Sequence, residues 1–401
     1  MRKALIIGGG IAGPVAAMAL QRAGFDAVVY EAHQQIGEDV GSYLTIATNG
    51  LDALHALEID GSIRATGFPT RHNVLLSGTG KRLGEISNGG TLQDGTVAHT
   101  IKRAHLYHAL HQHAIRRGVP CEFGKRLASA EPAADGVVAT FEDGSQASGD
   151  VLIGCDGIRS VTRGLIDPAA PSPRYVGLVN FGGYTTGLHV PVEPGNWYMV
   201  FGRRAFFGYV VDPAGGIVWF ANVPRDQVSD AERAATSLGQ WKQQLIELFS
   251  DDQSPASVII DAGEFELVAD NTRDLPSVPA WSRGPIVIIG DAAHAPSPTS
   301  GQGASLACED AVILAKCLRD LPAAKAFSVY EQLRRQRVER IVAQAARVGG
   351  RKAPGVVGSI VRDAVLPFVF KFMVTDKSLG WIYKHHIDWE APLELEVVGA
   401  V

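Results

Sequence analysis

The sequence predicts an α/β fold, in which a Rossmann-like parallel sheet flanked by helices carries an inserted antiparallel sheet and a C-terminal helical tail. Three observations predict it. Residues 4–24 run as an apolar strand, a glycine turn and a helix. Continuous apolar runs at 151–153 and 286–289 are typical of buried parallel strands. Short aromatic segments between residues 176 and 223 are typical of an antiparallel sheet.

The composition is that of an ordinary globular protein. The chain has 401 residues, of which 46% are hydrophobic and 20% charged, with a net charge of −5. Its length predicts about two or three domains, and its charge excludes a general affinity for nucleic acid. Four cysteines without a C-x-x-C pair predict a reducing, cytoplasmic environment. An uninterrupted apolar stretch of about 20 residues is absent, so we expect no membrane span.

The first elements are those of a parallel βαβ unit. Residues 4–7 predict a strand, 14–23 a helix that ends at Gly24, and 27–30 a second strand. The N-terminal stretch also resembles a secretory signal, but its glycines interrupt the apolar run, so we expect no signal peptide. A loop follows at 37–50 and a helix at 51–57.

The later elements alternate between the two kinds of sheet. Strands are predicted at 73–76, 82–86, 137–141, 146–147, 151–153, 176–184, 197–201, 206–211, 217–223 and 286–289. Helices are predicted at 51–57, 105–117, 231–249, 304–318 and 327–348. The apolar stretch 356–374 is interrupted by charges, which favours a packed helical tail over a membrane-surface helix.

A glycine fingerprint lies between the first strand and the first helix. Gly8, Gly10 and Gly13 have the spacing G-x-G-x-x-G. The first allows a tight turn, the second a close approach by a pyrophosphate, and the third close packing of helix on strand. The helix N-terminus offers free N–H groups to the phosphates. Glu31 ends the next strand, where an acid binds ribose hydroxyls, which favours NAD or FAD over NADP.

Two later segments distinguish between these dinucleotides. Residues 154–163 read G-C-D-G-I-R-S-V-T-R, with Asp156 just after a strand. Residues 290–303 begin G-D-A-A-H, with Asp291 at the tip of a strand and a glycine loop leading into a helix. A carboxylate there can bind ribitol hydroxyls, and the helix N-terminus can stabilise the electron-rich N1/O2 edge of a reduced flavin.

With these motifs the sequence resembles the group A flavoprotein monooxygenases, which include the para-hydroxybenzoate, 3-hydroxybenzoate and salicylate hydroxylases. The resemblance runs from residue 4 to about residue 340 and depends on the glycine fingerprint, D-G-x-x-S-x-x-R at 156–163 and G-D-A-A-H-x-x-x-P-x-x-G-x-G at 290–303. Residues 330–337 resemble the family's late helix. The family usually has Asn where this chain has Ser305, so a hydroxyl replaces an amide at one flavin contact.

The resemblance implies FAD as the prosthetic group and NAD(P)H as a transient co-substrate. Arg103 would reach the flavin or its pyrophosphate, and the backbone of Leu127 would contact the adenine. Pro298 would line the site where a flavin C4a-hydroperoxide forms. The full set of implied FAD contacts is Gly8, Gly10, Ile11, Ala12, Gly13, Glu31, Arg103, Leu127, Asp156, Asp291, Gly301, Gly303, Ala304 and Ser305.

The resemblance also implies a division of the chain. The FAD-binding domain is expected at residues 1–70, 98–173 and 276–345. The substrate domain is expected from a hairpin at 71–97 and the sheet at 174–275, with a C-terminal helical region at 346–401. We expect a monomer or a homodimer.

The implied reaction inserts one oxygen atom from O₂, through the hydroperoxide, into an aromatic or polycyclic small molecule. Tyr209 is the candidate substrate-facing polar group, although a surface hydroxyl explains it equally well. The alternative is an FAD-dependent reductase, dehydrogenase or halogenase that inserts no oxygen. Residues 219–224 match the halogenase box W-x-W-x-I-P only in part.

Histidines recur on the helix predicted at 105–117. His105, His108 and His111 are three residues apart, a spacing that drifts around a helix, and neither Cys nor a carboxylate joins them in this segment. We therefore expect surface histidines opposite the Leu106 and Leu110 face and no metal site.

Overall fold

A computed structural model describes residues 1–35, 42–349, 365–367 and 376–393. Its strands are β1 (Arg2–Ile7), β2 (Phe25–Glu31), β3 (Tyr43–Ile46), β4 (Gly67–Pro69), β5 (His72–Ser77), β6 (Arg82–Ser87), β7 (His99–Lys102), β8 (Cys121–Phe123), β9 (Leu127–Ala133), β10 (Gly136–Phe141), β11 (Gln146–Gly149), β12 (Val151–Gly154), β13 (Arg174–Thr185), β14 (Trp197–Phe201), β15 (Phe206–Val211), β16 (Ile217–Pro224), β17 (Glu264–Asp274), β18 (Ser282–Arg283) and β19 (Ile286–Ile288). Its α-helices are α1 (Ala12–Arg22), α2 (Thr48–His55), α3 (Asp60–Arg64), α4 (Arg103–Arg116), α5 (Val161–Ile166), α6 (Asp230–Ala235), α7 (Leu238–Phe249), α8 (Ala256–Ala262), α9 (Gly303–Asp320), α10 (Ala323–Gly349) and α11 (Asp376–Tyr383).

A six-stranded sheet carries the glycine fingerprint. Its order is β18-β19-β12-β1-β2-β8, and every neighbouring pair is parallel except β18 with β19. The apolar run Leu5, Ile6 and Ile7 is buried in the core shared with α1 and α9. The predicted parallel sheet is confirmed, and its strands end on the side where the three motifs follow them.

A seven-stranded sheet has two different faces. Its order is β17-β13-β16-β15-β14-β5-β6, antiparallel except for the parallel pair β14 with β5. We call the face packed on α7 and α8 the outer face, where Phe207 and Trp219 join Trp241 in one cluster. The opposite face, here the inner face, carries Trp197 and Val218 and packs on Phe68 and Tyr43 of the small sheet β3-β7-β4.

Several predicted elements differ from those observed. The helix predicted at 231–249 is two helices, because Ser237 forms a capping box with Gln240 and starts α7 anew. Strand β17 was not predicted, since its polar sequence is broken by register shifts against β13. The loop predicted at 37–50 contains β3 and the start of α2. The predicted tail at 356–374 lies outside the described residues except for 365–367.

The described residues contain no helix that is both long and apolar enough to cross a bilayer.

Buried charges join α9 to α10. The guanidinium of Arg334 lies 2.7 Å from Asp310 Oδ1 and 2.5 Å from Glu309 Oε2, and none of the three side chains is exposed. Glu309 also accepts hydrogen bonds from Asn49 (2.6 Å) and from Arg337 (2.8 Å). Burial would raise the pKa of Glu309, but Arg334 and Arg337 lower it to about 2. Both carboxylates therefore stay ionised inside the core.

Removing the shared cation tests this network. In Arg334→Met, two buried carboxylates lose the cation that they share, and we expect a loss of about 3–5 kcal/mol in the free energy of unfolding. Arg82→Met removes the exposed pair of Arg82 with Glu85 and should change stability by less than about 1 kcal/mol. Urea unfolding followed by tryptophan fluorescence compares the two. Equal losses for both variants would contradict the role given to Arg334.

Candidate active site

The first motif is a turn that only glycine can form. Gly8 has a φ of +105°, and its N–H donates to the carbonyl of Tyr30 at 2.8 Å. A Cβ on Gly8 would lie 2.5 Å from the carbonyl oxygen of Cys155, and one on Gly13 would lie 1.9 Å from the carbonyl oxygen of Gly8. The chain is therefore in close contact on this side of the turn.

The other side of the turn is open. A Cβ on Gly10 would meet only the Tyr107 hydroxyl, at 3.8 Å. Helix α1 begins directly afterwards, with Ile11 at its N-cap and Ala12 as its first residue, and no side chain of a described residue caps it. Its first N–H groups are thus available to an anion, and the positive end of the helix dipole faces the same way.

Two side chains, the half-buried Glu31 and the buried His111, hold the Gly9 peptide. Its N–H donates to Glu31 Oε2 at 2.6 Å, and Glu31 Oε1 accepts from the His33 N–H at 2.8 Å. The Gly9 carbonyl accepts from His111 Nε2 at 2.5 Å, and His111 is 2% exposed. Burial lowers the pKa of His111, which favours the neutral imidazole with its proton on Nε2. The loop conformation is therefore fixed by the chain itself.

This contact corrects one sequence prediction. The expectation of surface histidines holds for His105 and His108, which are exposed, but is wrong for His111, which faces the core beside the loop. The sequence did offer one indication that His111 is buried. It follows directly after Leu110, which was predicted to face the core, and two adjacent residues can both belong to the buried face of a helix. The described residues contain no cluster of three or more potential metal ligands.

The segment at 156–163 makes hydrogen bonds within its own turn and to the loop after β19. Asp156 accepts hydrogen bonds from Ser160 Oγ at 2.5 Å and from the Thr162 N–H at 2.9 Å. The buried guanidinium of Arg163 donates to the carbonyl of Ala292 at 3.0 Å. The segment therefore supports the loop that follows β19, and the Asp156 carboxylate is engaged within its own turn.

One carboxylate shapes the loop after β19. Asp310 Oδ2 accepts from the Gly290 N–H at 2.8 Å and from His294 Nε2 at 2.6 Å, while Oδ1 accepts from Arg334. Burial would raise the pKa of Asp310, but His294 and Arg334 hold it well below its usual range. Gly290 has a φ of +59°, which favours glycine at the point where the loop turns.

The next residue, Asp291, has a carboxylate that no described residue binds. It accepts no hydrogen bond from the described residues, and a Cβ on Gly303 would lie 3.6 Å from its Oδ1. Burial raises the pKa of Asp291, and the nearby His294 and Arg103 offset part of that effect. Helix α9 begins at Gly303 without a side-chain cap from the described residues. A hydroxyl-bearing ligand would satisfy this carboxylate, with the helix N-terminus beside it.

Ser305 makes a contact of its own within the protein. Its Oγ accepts from the Ala47 N–H at 3.1 Å, and a Cβ on Gly50 would lie 2.7 Å from it. The hydroxyl thus fills a tight contact between α9 and the start of α2.

The remaining predicted residues lie around the same edge of the parallel sheet. Arg103 is the first residue of α4. Its backbone N–H donates to the carbonyl of Ser42 at 3.1 Å, and its Nε donates to the Tyr107 hydroxyl at 3.0 Å. Leu127 begins β9 and is buried in the main core. The others belong to the loop after β19 and the start of α9: Pro298, Gly301, Gly303 and Ala304.

The inner face of the antiparallel sheet borders this region. A Cβ on Gly182 would lie 2.8 Å from Ser42 Oγ, in the segment that accepts the Arg103 N–H. The rings of Tyr43 and Tyr184 stack with centroids 5.8 Å apart. From the other side, Leu275, just after β17, forms a β-bridge with Ala295 of the loop after β19. An aromatic wall therefore adjoins the loops that carry Arg103 and Asp291.

Tyr209 does not belong to that wall. It is 2% exposed, lies in the outer-face cluster with Phe207, and stacks on Tyr198 at 5.2 Å between centroids. Strand alternation puts Val210, its neighbour, on the inner face instead. The structure thus turns the Tyr209 hydroxyl away from the inner face, so we do not retain this residue as a substrate contact.

Comparisons with known proteins agree with this geometry. The family model described as "FAD binding domain" matches residues 1–345. The aurachin C monooxygenase/isomerase of Stigmatella aurantiaca is 29% identical, over 86% of this chain and 88% of its own. The FAD-dependent urate hydroxylase of Klebsiella pneumoniae is 30% identical, over 86% and 89%. The crystal structure of Klebsiella pneumoniae HpxO complexed with FAD and uric acid has 27% identity, covers 94% of both chains, and has a TM-score of 0.80.

The residues on this edge of the sheet fit such a cofactor. In the part of the chain that the structure describes, the glycine cradle, the uncapped starts of α1 and α9 and the unpartnered Asp291 carboxylate match a pyrophosphate, an electron-rich ring edge and ribityl hydroxyls. The chain belongs to the FAD-binding-domain family of FAD-dependent aromatic hydroxylases, and FAD is its cofactor.

Proposed function

We propose that this protein is a monooxygenase that uses NADH or NADPH and O₂ to insert one oxygen atom into an aromatic or polycyclic small molecule. FAD, when bound, supplies the redox chemistry of electron acceptance and oxygen activation. The observation that carries the proposal is the position of the inner face, an aromatic wall directly beside the loops of Arg103 and Asp291.

The FAD contacts are proposed from the geometry of each group. Glu31 uses each carboxylate oxygen for one backbone N–H, so each oxygen keeps a lone pair for a ribose hydroxyl. Gly10 and the start of α1 would hold the pyrophosphate, and Asp291 would accept hydrogen bonds from the ribityl hydroxyls. Backbone groups of Leu127 and Asp156 and the guanidinium of Arg103 complete the set. The helix groups involved are Ile11, Ala12, Gly303, Ala304 and Ser305, with Gly301 just before them.

The substrate is proposed to lie between the inner face and Pro298. Trp197 and Phe220 meet edge to face with centroids 5.5 Å apart, and the Trp197 Nε1–H is already engaged by Thr100 Oγ1 at 3.1 Å. Trp197 is buried, so the surface proposed to face a substrate consists of its partly exposed neighbours Tyr184, Met199 and Phe220, and is mainly apolar. Exclusion of water protects a reactive oxygen donor from side reactions, which is what an oxygen-inserting site requires.

The contact of His111 with Gly9 tests the cofactor site. In His111→Leu the buried Gly9 carbonyl loses its donor, and we expect FAD to bind about tenfold more weakly. His111→Gln retains an N–H donor and should recover part of the affinity. His108→Leu, on the exposed side of the same helix, is the matched control and should bind FAD like the parent chain. Quenching of FAD fluorescence on titration into apoprotein measures each affinity. Equal affinities for His111→Leu and His108→Leu would disprove the contact's role.

The reaction itself is tested with isotopic oxygen. The FAD-loaded protein, supplied with NADH or NADPH, ¹⁸O₂ and a panel of phenolic and polycyclic compounds, should give a product that gains one ¹⁸O atom. The proportion of reducing equivalents recovered as product, rather than as hydrogen peroxide, identifies the true substrate. NAD(P)H consumption with complete recovery as peroxide across the panel, or reduction of a compound without ¹⁸O, would favour a reductase or dehydrogenase instead.

A further inference from the structure

The inner face carries two paired amides, on β13 and β16. Strand alternation from Phe220 puts Asn222 on this face, and the register pairs Asn222 with Asn180 on β13. Among the inner-face positions of residues 180–184, 197–201, 206–210 and 218–222, none is Asp, Glu, Lys or Arg. On the neighbouring edge strand β17, the exposed Asp270 is the strand partner of Asn180, so the charge beside this amide is negative. The ion pair Lys102–Glu266 involves β17, at the sheet edge.

The two amides are oriented by one hydrogen bond. The Asn222 Nδ2 donates to Asn180 Oδ1, and the two residues are only 4% and 7% exposed. Because the Asn180 oxygen accepts this bond, the orientation of the Asn180 amide is fixed. The Nδ2 of Asn180 then faces away from Asn222 Nδ2 and is a hydrogen-bond donor. That Nδ2 has no hydrogen-bond partner within the described residues. The protein does not fully enclose this atom, so the Nδ2 can donate to an acceptor on a ligand.

Asn180 lies close to the loops proposed to hold FAD. Gly182 lies two residues after Asn180 on β13 and is close to Ser42. The carbonyl of Ser42 accepts a hydrogen bond from the backbone N–H of Arg103. A flat ring that bridges from Asn180 towards Arg103 would cover the aromatic wall between them. A carboxylate on the Asn180 side of that ring would lose its water without gaining a cation, which is strongly unfavourable.

We propose that the substrate is a neutral aromatic or polycyclic compound whose ring carbonyl or phenolic oxygen accepts a hydrogen bond from Asn180 Nδ2. This inference rests on the proposed function and specifies its substrate class. Asn180 is thus a specificity-determining residue, and Asn222 positions it.

A matched pair of ligands tests the proposal. The probes are 1-naphthol and 1-hydroxy-2-naphthoate, which share a ring system and differ by one carboxylate. Isothermal titration of the FAD-loaded protein should show 1-naphthol binding at least about tenfold more tightly, because the carboxylate finds no cation. In Asn180→Leu, 1-naphthol should bind about five- to tenfold more weakly, the effect of one lost hydrogen bond. Tyr209→Phe, on the outer face of the same sheet, is the control and should leave both affinities unchanged.

Three results would overturn the proposal: equal or tighter binding of the carboxylate, an unchanged affinity in Asn180→Leu, or no binding of either ring system. The FAD content of the same samples and the ¹⁸O experiment report separately on the proposed function. If the protein inserts oxygen but binds carboxylates more tightly, the proposed function is supported and the proposed substrate class is wrong.

Discussion

The Asp310 carboxylate is the constraint on which the loop after β19 depends. It holds the Gly290 N–H and the His294 ring with one oxygen and Arg334 with the other, all without exposure to water. Removing an ionised carboxylate from water has a large desolvation free energy. The hydrogen bonds and the ion pair from these donors together offset that free energy. Asp291 is one residue from Gly290, so the position of its free carboxylate follows from the contacts that Asp310 makes.

The two ends of the cofactor site are held in different ways. At the fingerprint loop, Glu31 and His111 bind the Gly9 peptide directly, so the loop is preformed and little ordering opposes binding. At the other end, the described residues offer Asp291 no hydrogen-bond donor, and burial raises its pKa. A hydroxyl donor there relieves an existing penalty. Preformation at one end and an unsatisfied acceptor at the other both favour a ligand that spans the edge of the sheet.

Local motifs could be predicted from the sequence, whereas contacts made across the fold could not. The roles of Gly8 and Gly13 follow from spacing alone, because the turn and the helix are adjacent in the chain. The burial of His111 depends on how α4 lies against the fingerprint loop, about 100 residues away. Tyr209 was expected at the substrate because alternation along β15 defines two faces without showing which one the helices α7 and α8 cover. Ser305 could be understood only once Gly50 was seen to lie against it.

Because the antiparallel sheet has two different faces, one sheet can both stabilise the fold and take part in the substrate recognition proposed for the inner face. The outer face is closed by Trp241 and its neighbours on α7 and α8, so its aromatic residues stabilise the fold and are not available to a ligand. The inner face packs on a small sheet that covers only part of it, through Tyr43 and Phe68. Because successive residues alternate between the faces, a single strand such as β16 supplies Trp219 to the core and Phe220 to the wall. Substitutions at inner-face positions can therefore alter recognition while the outer-face core keeps the sheet in place.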